Sequence, residues 1–410
     1  MIIKLAWRNI WRNKTRSIVI IAAVTLGIVA SLFLDAFAQG MVKSFIENSI
    51  ETATSHIQIH HKDYLENEDI KEVIPHVKEV VDSIKSLPQV DHLSSRIIVN
   101  AMLSSSRSSQ NVRVLAVDPS EEFQVTNMAE KVVEGYYFEK NTKNKVLIST
   151  RLSEKLKLKL NSKLVMTFMD PEEEITAGLF RIGGLYDSGN NKYDDVHVFV
   201  KKEDLLSTMY PNNNQEVRIP EHEIAIVLKE KEDIFQVMNI LSSDYPELDI
   251  QAYNELSPEL GLYESQMDFI TWFYFIIIMF ALIFGIVNTM LMAVLDRYKE
   301  FGVLMAVGLG KTKLFSLILV ETIMLGLVAA PIGMLLGYLI LSYFSDHGIN
   351  LSMWSEFLEE YGMQSMVYTQ VNVLSFYKLT LTLVTTTILA ALYPAWKAVR
   401  LNPLEAIRKI

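Results

Sequence analysis

Hydrophobic positions along this chain follow two regimes. Residues 18–39, 269–295, 314–344 and 373–394 are almost continuously apolar, whereas the long stretch between the first two runs alternates apolar and polar residues in short pieces. A bilayer core about 30 Å thick takes roughly 20 apolar residues in a helix. All four runs meet that length and predict transmembrane helices. Their charges are few: Asp35 near the end of the first, Glu321 in the third, and Lys378 near the start of the fourth, where its stem can snorkel to the headgroups. Ala36, Phe37 and Ala38 resemble a signal-peptide cleavage site. The run before them is longer than the about 7–15 apolar residues of such a signal, so an uncleaved span is expected.

Residues 40–268 are too many for a loop and read as a folded α+β domain. Alternating or β-branched runs predict strands at 56–60, 96–103, 111–117, 145–149, 164–169, 175–185, 196–200 and 223–228. Helical spacing predicts helices at 72–86, 150–158 and 232–243. Because strands and helices do not alternate strictly, mixed sheets in two subdomains are expected. The polar stretch 104–110, SSSRSSQ, is the expected tip of a hairpin.

Charge orients the spans. Segments 1–17, 296–313 and 396–410 together hold 13 basic and 3 acidic residues, and the rest of the chain holds 25 basic and 45 acidic. Lysine and arginine concentrate on the cytoplasmic side of a membrane protein. The pattern therefore predicts a cytoplasmic segment at 1–17, an extracytoplasmic domain at 40–268, a cytoplasmic turn at 296–313, a short external loop at 345–372 and a cytoplasmic tail at 395–410. In the first segment Ile3, Trp7, Ile10 and Trp11 share a face opposite Lys4, Arg8, Arg12 and Arg16. It reads either as an amphipathic helix in the interface or as a basic flank that sets topology, on the same side in both cases.

Composition and motifs exclude much chemistry. The net charge of −10 argues against nucleic acid as a partner, and zero cysteines exclude disulfides and thiolate sites. His60 and His61 have no second ligand cluster at sensible spacing and read as a surface pair. His222 and Glu223 lack the second histidine of a zincin helix. Asp187, Asp194 and Asp195 belong to a turn-rich stretch, and no nucleophile elbow occurs. Gly310, Lys311 and Thr312 resemble the end of a phosphate-binding loop, but Met305 stands where its first glycine belongs. No catalytic residue and no metal site is expected.

The turn between the second and third spans is more specific. After the charged residues 296–300 comes a short apolar segment, 301–307, ended by Gly308 and Gly310. Apolar residues in a cytoplasmic turn need a partner surface. This stretch resembles the inner-loop motif of the FtsX/MacB-type ABC transporter permeases, V-x-E-R-x-x-E-I-G-x-x-x-A-x-G. The matches are Arg297, Glu300, Gly302, Ala306 and Gly308, with Asp296 for the motif's first acid and Phe301 for its isoleucine. The opening AWRNIWRNKTRS is similar to the family's N-terminus. Tyr393, Pro394, Ala395 and Ala398, then Pro403, Glu405, Ala406 and Arg408, are similar to its C-terminal motif. The layout of one span, a large external domain and three further spans is also the family's. Length and plan look closest to the lipoprotein-releasing LolC/LolE branch.

The resemblance implies an inner-membrane permease subunit that works by mechanotransmission. Arg297, Glu300, Phe301, Gly302, Leu304, Ala306 and Gly308 would form a coupling helix that docks a separate cytoplasmic ABC ATPase. ATP and Mg would be bound by that partner, with no cofactor on this chain. A second permease chain, identical or paralogous, and a lipoprotein cargo complete the implied assembly. Export of a peptide or small amphiphile is the alternative cargo. A signalling scaffold that activates a cell-wall hydrolase, or a receptor without any ATPase, are alternatives of other classes. Lipoprotein release would need an apolar groove in the external domain. Glu321 is the costly intramembrane charge, read either as functional or as a helix–helix partner of Lys378 or a nearby threonine.

Overall fold

The computed structural model describes residues 2–138, 142–211 and 219–400. The chain divides into two compact units. One comprises Met1–Val42, Ser265–Asn350 and Met366–Ile410, the other Lys43–Glu264 and Leu351–Ser365.

Among the described residues four helices are long and apolar enough to cross a membrane: Lys14–Ser49, Pro258–Asp296, Lys311–His347 and Val373–Val399. The first extends ten residues past its expected end, and the second begins eleven before its expected start. In lipid no hydrophobic force separates one apolar helix from another, so close packing and polar contacts select partners. Gly333 and Gly337 of the third span face Ile28 and Leu32 of the first, and a Cβ at Gly333 would meet the Ile28 Cβ at 2.9 Å. Gly326 approaches Thr387 of the fourth span in the same way. Thr382, Thr386 and Thr387 return their hydroxyls to the carbonyls of Lys378, Thr382 and Leu383, which keeps them off the lipid. Buried Asp35 accepts from the Thr271 hydroxyl at 2.6 Å and from the Gln39 amide at 2.8 Å. Lys378 pairs with Asp268 at 2.7 Å, which removes it as a partner of Glu321, one of the alternatives read from the sequence. A separate helix, Ile2–Arg12, buries Ala6 and Ile10 and turns Trp7 and Trp11 outward.

The unit of Lys43–Glu264 and Leu351–Ser365 is built, among the described residues, on one sheet. Its strands are β1 (Ile57–His61), β2 (Val90–Ser104), β3 (Ser109–Val117), β4 (Val132–Gly135), β5 (Lys145–Ser149), β6 (Lys163–Met169), β7 (Ile175–Tyr186), β8 (His197–Lys201), β9 (Glu223–Leu228) and β10 (Leu248–Ala252). They run in the order β10-β1-β9-β2-β3-β8-β5-β7-β4, with β6 joining β2 and β7. The β3–β8 and β5–β7 pairs are parallel and the others antiparallel, so the sheet is mixed. The separate sheets expected for two subdomains are joined because β2, at 15 residues, is long enough to serve both. Its first half contributes Val90 and Leu93 to a core with Ile57, Ile226, Val80 and Leu241. Its second half contributes Ile97, Val99 and Leu103 to a core with Val146, Phe180 and Val198. Ser105 to Ser108 close the β2–β3 hairpin, with the Ser105 amide donating to the Ser108 carbonyl. Segment 345–372 carries the short pair Ile349–Asn350 and Met366–Val367 and a helix, Ser355–Glu360.

Between the two cores β2 buries Arg96, which Glu122 grips through both carboxylate oxygens at 2.7 and 3.0 Å and Glu223 at 2.5 Å. His60 is also buried, its Nε2 3.3 Å from Glu223, so it is no surface residue. β1 lies inside the sheet between β9 and β10, and a histidine there needs a buried partner. His61, half-buried, lies 2.8 Å from Glu72, and its ligand atom, with those of Asp63 and Glu72, falls within 4.8 Å. The sequence reading of no second ligand cluster is thereby corrected: the 63–76 loop brings the two acids back to the strand end.

Two predictions follow from this packing. Gly333→Leu should destabilise the membrane unit by about 1–3 kcal/mol through overpacking, read as a lower melting temperature in detergent. Gly285→Leu should leave it unchanged, because no atom lies within 4 Å of a Cβ there. The second concerns acid. Burial alone would raise the Glu223 carboxyl, but Arg96 and His60 hold it down at about 2, against 4.5 ordinarily. The unfolded chain then takes up a proton that the folded one refuses, so stability falls as pH drops from 4.5 toward 2. Glu223→Gln should flatten that part of the pH profile, measured by limited proteolysis within 43–264.

Candidate coupling site between the second and third spans

Helix Pro258–Asp296 stops at Arg297, whose φ of −100° and ψ of 18° leave the α region. A short helix, Tyr298–Ala306, follows and ends at Gly308. Gly308 has φ +101°, a left-handed conformation that glycine adopts without a Cβ clash. Gly310 then caps the third span.

Tyr298–Ala306 has two faces. Phe301 and Gly302 are buried, whereas Val303, Leu304 and Val307 are 51%, 41% and 83% exposed. Arg297 fixes which face turns inward. Its side chain is nine-tenths buried, with Nε 3.1 Å from Glu300 and NH1 3.2 Å from Glu321 in the third span. The guanidinium also covers the Phe301 ring at 4.9 Å, a cation–π contact that strengthens as water is excluded. A buried carboxylate is tolerated when a hydrogen-bonded cation meets it. Glu321 is therefore the partner of Arg297, not of Lys378.

A second layer ties the N-terminal segment to this turn. Arg12 grips both Glu300 oxygens, at 2.7 and 2.5 Å, and Arg16 pairs with Asp296. The Arg12 hydrogen bond, with Arg297 adding to it, holds the Glu300 carboxyl below the ordinary carboxylate range against partial burial. Helix Ile2–Arg12 packs along the third span, which places Arg12 beside the turn. Ion pairs therefore link this turn to the third span and to the N-terminal segment.

The residues read from the sequence thus divide by face. Arg297, Phe301 and Gly302 turn inward, where a partner cannot reach them. Glu300 is half-exposed and engaged by Arg12. Leu304, Ala306 and Gly308 are exposed. Val303 and Val307 are the outward residues that the motif comparison left out, and their i, i+4 spacing with Leu304 beside them carried the signal. Arg12 and Arg16 were legible too, as an i, i+4 basic pair matching the acidic pair Asp296 and Glu300. In the C-terminal motif Pro394, Ala395 and Ala398 are buried, and Arg400 covers Trp396 at 3.9 Å. Pro403, Glu405, Ala406 and Arg408 lie outside the described residues. His222 is structural, its Nδ1 accepting from the Ile98 amide at 3.1 Å and its Nε2 2.9 Å from the Ile70 carbonyl.

Comparison with known proteins adds two family matches. Residues 17–243 match the MacB-like periplasmic core domain, and residues 272–403 the FtsX-like permease C-terminal domain. The chain is similar to the lipoprotein-releasing system transmembrane protein LolC of Buchnera aphidicola subsp. Schizaphis graminum, at 20% identity over 97% of this chain and 95% of that one. It is 23% identical to an ABC transporter permease of Methanocaldococcus jannaschii over 99% and 97% of the two chains. A macrolide export ATP-binding/permease protein, MacB of Shewanella oneidensis, is 30% identical over 30% of this chain and 17% of that one. The periplasmic region of MacB from Actinobacillus actinomycetemcomitans aligns with a TM-score of 0.34 at 11% identity, covering 53% of this chain and 97% of that one.

The anchoring of the turn is testable by stability alone. Arg297→Ala leaves Glu321 buried without its cation and should cost about 3–5 kcal/mol. Replacing both partners, Arg297→Met with Glu321→Leu, should recover most of that loss in detergent melting curves.

Proposed function

The chain belongs to the FtsX/MacB family of ABC transporter permeases, whose members work with an ATPase partner, and from that premise we propose that it couples a separate cytoplasmic ATPase to the release of lipoproteins from the inner membrane. The observation that carries the coupling role is the two-faced helix Tyr298–Ala306. Its apolar outer face, Val303, Leu304 and Val307, is exposed among the described residues, while its inner face is pinned to Glu321 through Arg297. A docking helix needs both features: a surface for the partner, and a rigid attachment through which a displacement is passed on.

In this reading the ATPase binds ATP and Mg and changes the distance between its two docked helices as it closes. One helix comes from this chain and one from a second permease chain, identical or paralogous. The Arg297–Glu321 and Arg12–Glu300 pairs carry the displacement to the spans, and the external domain responds. Work is transmitted, and no polar conduit through the bilayer is required. Basic segments on one side of the spans and the acidic remainder on the other support an inner-membrane location with the large domain outside.

Lipoprotein as cargo is favoured by the extent of similarity. The LolC relative matches nearly the whole of both chains, whereas the macrolide exporter matches under a third of this one. Two experiments test the parts separately. Val307→Asp places a charge on the outer face without touching any ion pair. It should abolish co-purification of the ATPase while leaving the melting temperature unchanged. Charge reversal at Glu300 is a poorer probe, since it also breaks the Arg12 and Arg297 pairs. For cargo, proteoliposomes holding the permease, its ATPase and an acylated lipoprotein should release that lipoprotein on ATP addition. Failure to release it, with the ATPase bound and active, would sink the lipoprotein reading and leave the coupling reading intact.

A further inference from the structure

The external unit holds a cavity of about 530 Å³ that the coupling site does not involve. It lies in the range of about 300–1,000 Å³ typical of small-molecule sites, so it accommodates one small ligand and no folded partner. Its walls are of two kinds. Phe45, Leu260, Tyr263 and Tyr361 make an apolar, aromatic wall. Phe45 and Tyr263 meet edge to face with ring centroids 5.4 Å apart. The rest of the lining is polar and includes Arg113, Lys192, Glu259 and the buried Arg96–Glu223 pair.

The charged lining holds the cations Arg96, Arg113 and Lys192 and the carboxylates Glu223 and Glu259, a net positive set. Glu223 is used on both oxygens, by Arg96 at 2.5 Å and by His60 at 3.3 Å. Glu122, behind it, is taken by Arg96. Arg113 gives one nitrogen to Glu68 at 3.1 Å, but its Nε–H is buried with no hydrogen-bond partner. A buried donor left unmatched costs about 1–3 kcal/mol, so it marks a place where an acceptor belongs. Lys192 is exposed at the rim and brings a second positive charge. Of the carboxylates that line the cavity Glu223 is spent and Glu259 is exposed to solvent, whereas Arg113 keeps a buried donor and Lys192 an exposed charge. Aromatic rings line the same cavity of ligand size.

We propose that this cavity binds a single-chain acidic amphiphile, its carboxylate or phosphate head between Arg113 and Lys192 and its hydrocarbon chain against Phe45, Leu260 and Tyr263. The inference goes beyond the lipoprotein reading and stands without it, because it concerns the external unit alone and uses no property of the ATPase. In a releasing machine such a ligand would bias the external unit between ligand-filled and empty states.

The test uses the full chain in amphipol, with a diazirine-bearing dodecanoate as the photoreactive probe. Labelling should map to peptides holding Phe45, Leu260 or Tyr263. Unlabelled dodecanoate or dodecyl phosphate should compete, and dodecanol should compete at least tenfold more weakly. Arg113→Gln should weaken dodecanoate competition by roughly tenfold or more, the loss expected for a hydrogen bond to a charged group. Lys192→Gln, at an exposed position that the fold does not depend on, should weaken it several-fold with an unchanged melting temperature. Competition by dodecanol equal to that by dodecanoate would overturn the proposal, as would labelling confined to the spans or both variants competing like the wild type. Co-purification of the ATPase is scored in the same preparation, so loss of the coupling reading is seen independently of the ligand result.

Discussion

An ion placed where water cannot reach it must find a counter-ion held by the same fold. This chain meets that constraint at the end of its third span, where Glu321 is buried in an otherwise apolar helix. Arg297 answers it from the turn before, and because Arg297 also reaches Glu300, the turn cannot rotate without exposing a charge to lipid. That one requirement decides which face of Tyr298–Ala306 is hidden and therefore which residues are left outside. Phe301 is buried under the arginine, and Val303, Leu304 and Val307 are turned away as a consequence. The outer face exists because the inner one is fixed electrostatically.

The external unit solves a similar problem differently. Arg96 lies on the long central strand β2, between two hydrophobic cores, and is neutralised by carboxylates from a short helix, Pro119–Val125, and from the neighbouring β9. A charge network at that joint holds two cores in register where apolar packing alone would tolerate slippage. In both units the buried arginine organises what surrounds it, and the surfaces offered to partners and ligands are what remains.

Much of the architecture was legible from pattern alone. The four apolar runs needed only length, and the strands at 145–149 and 223–228 were placed to the residue by β-branched alternation. The strand Leu248–Ala252 was missed although LDIQA alternates apolar and polar residues, and its place is set by pairing with β1, nearly two hundred residues away. Helices Pro119–Val125 and Lys202–Met209 were missed as well. Separate sheets were expected where one exists, since nothing local reveals that β2 is shared. The residues of the turn were found by motif, but a motif marks positions without saying which way a side chain faces.

The sequence by itself determined where the chain is apolar enough to enter a membrane, which side its basic segments favour, and the turn that carries the family motif. These are local properties: length of an apolar run, sign of a charge, spacing within one helix. Tertiary structure alone decided that Glu321 belongs to Arg297 and Lys378 to Asp268, that His60 is interior, and that Val303 and Val307 form the outward face. Each of these rests on which distant segment arrives at a given place. In a medium of low dielectric the partner that arrives determines whether a charge can be buried at all.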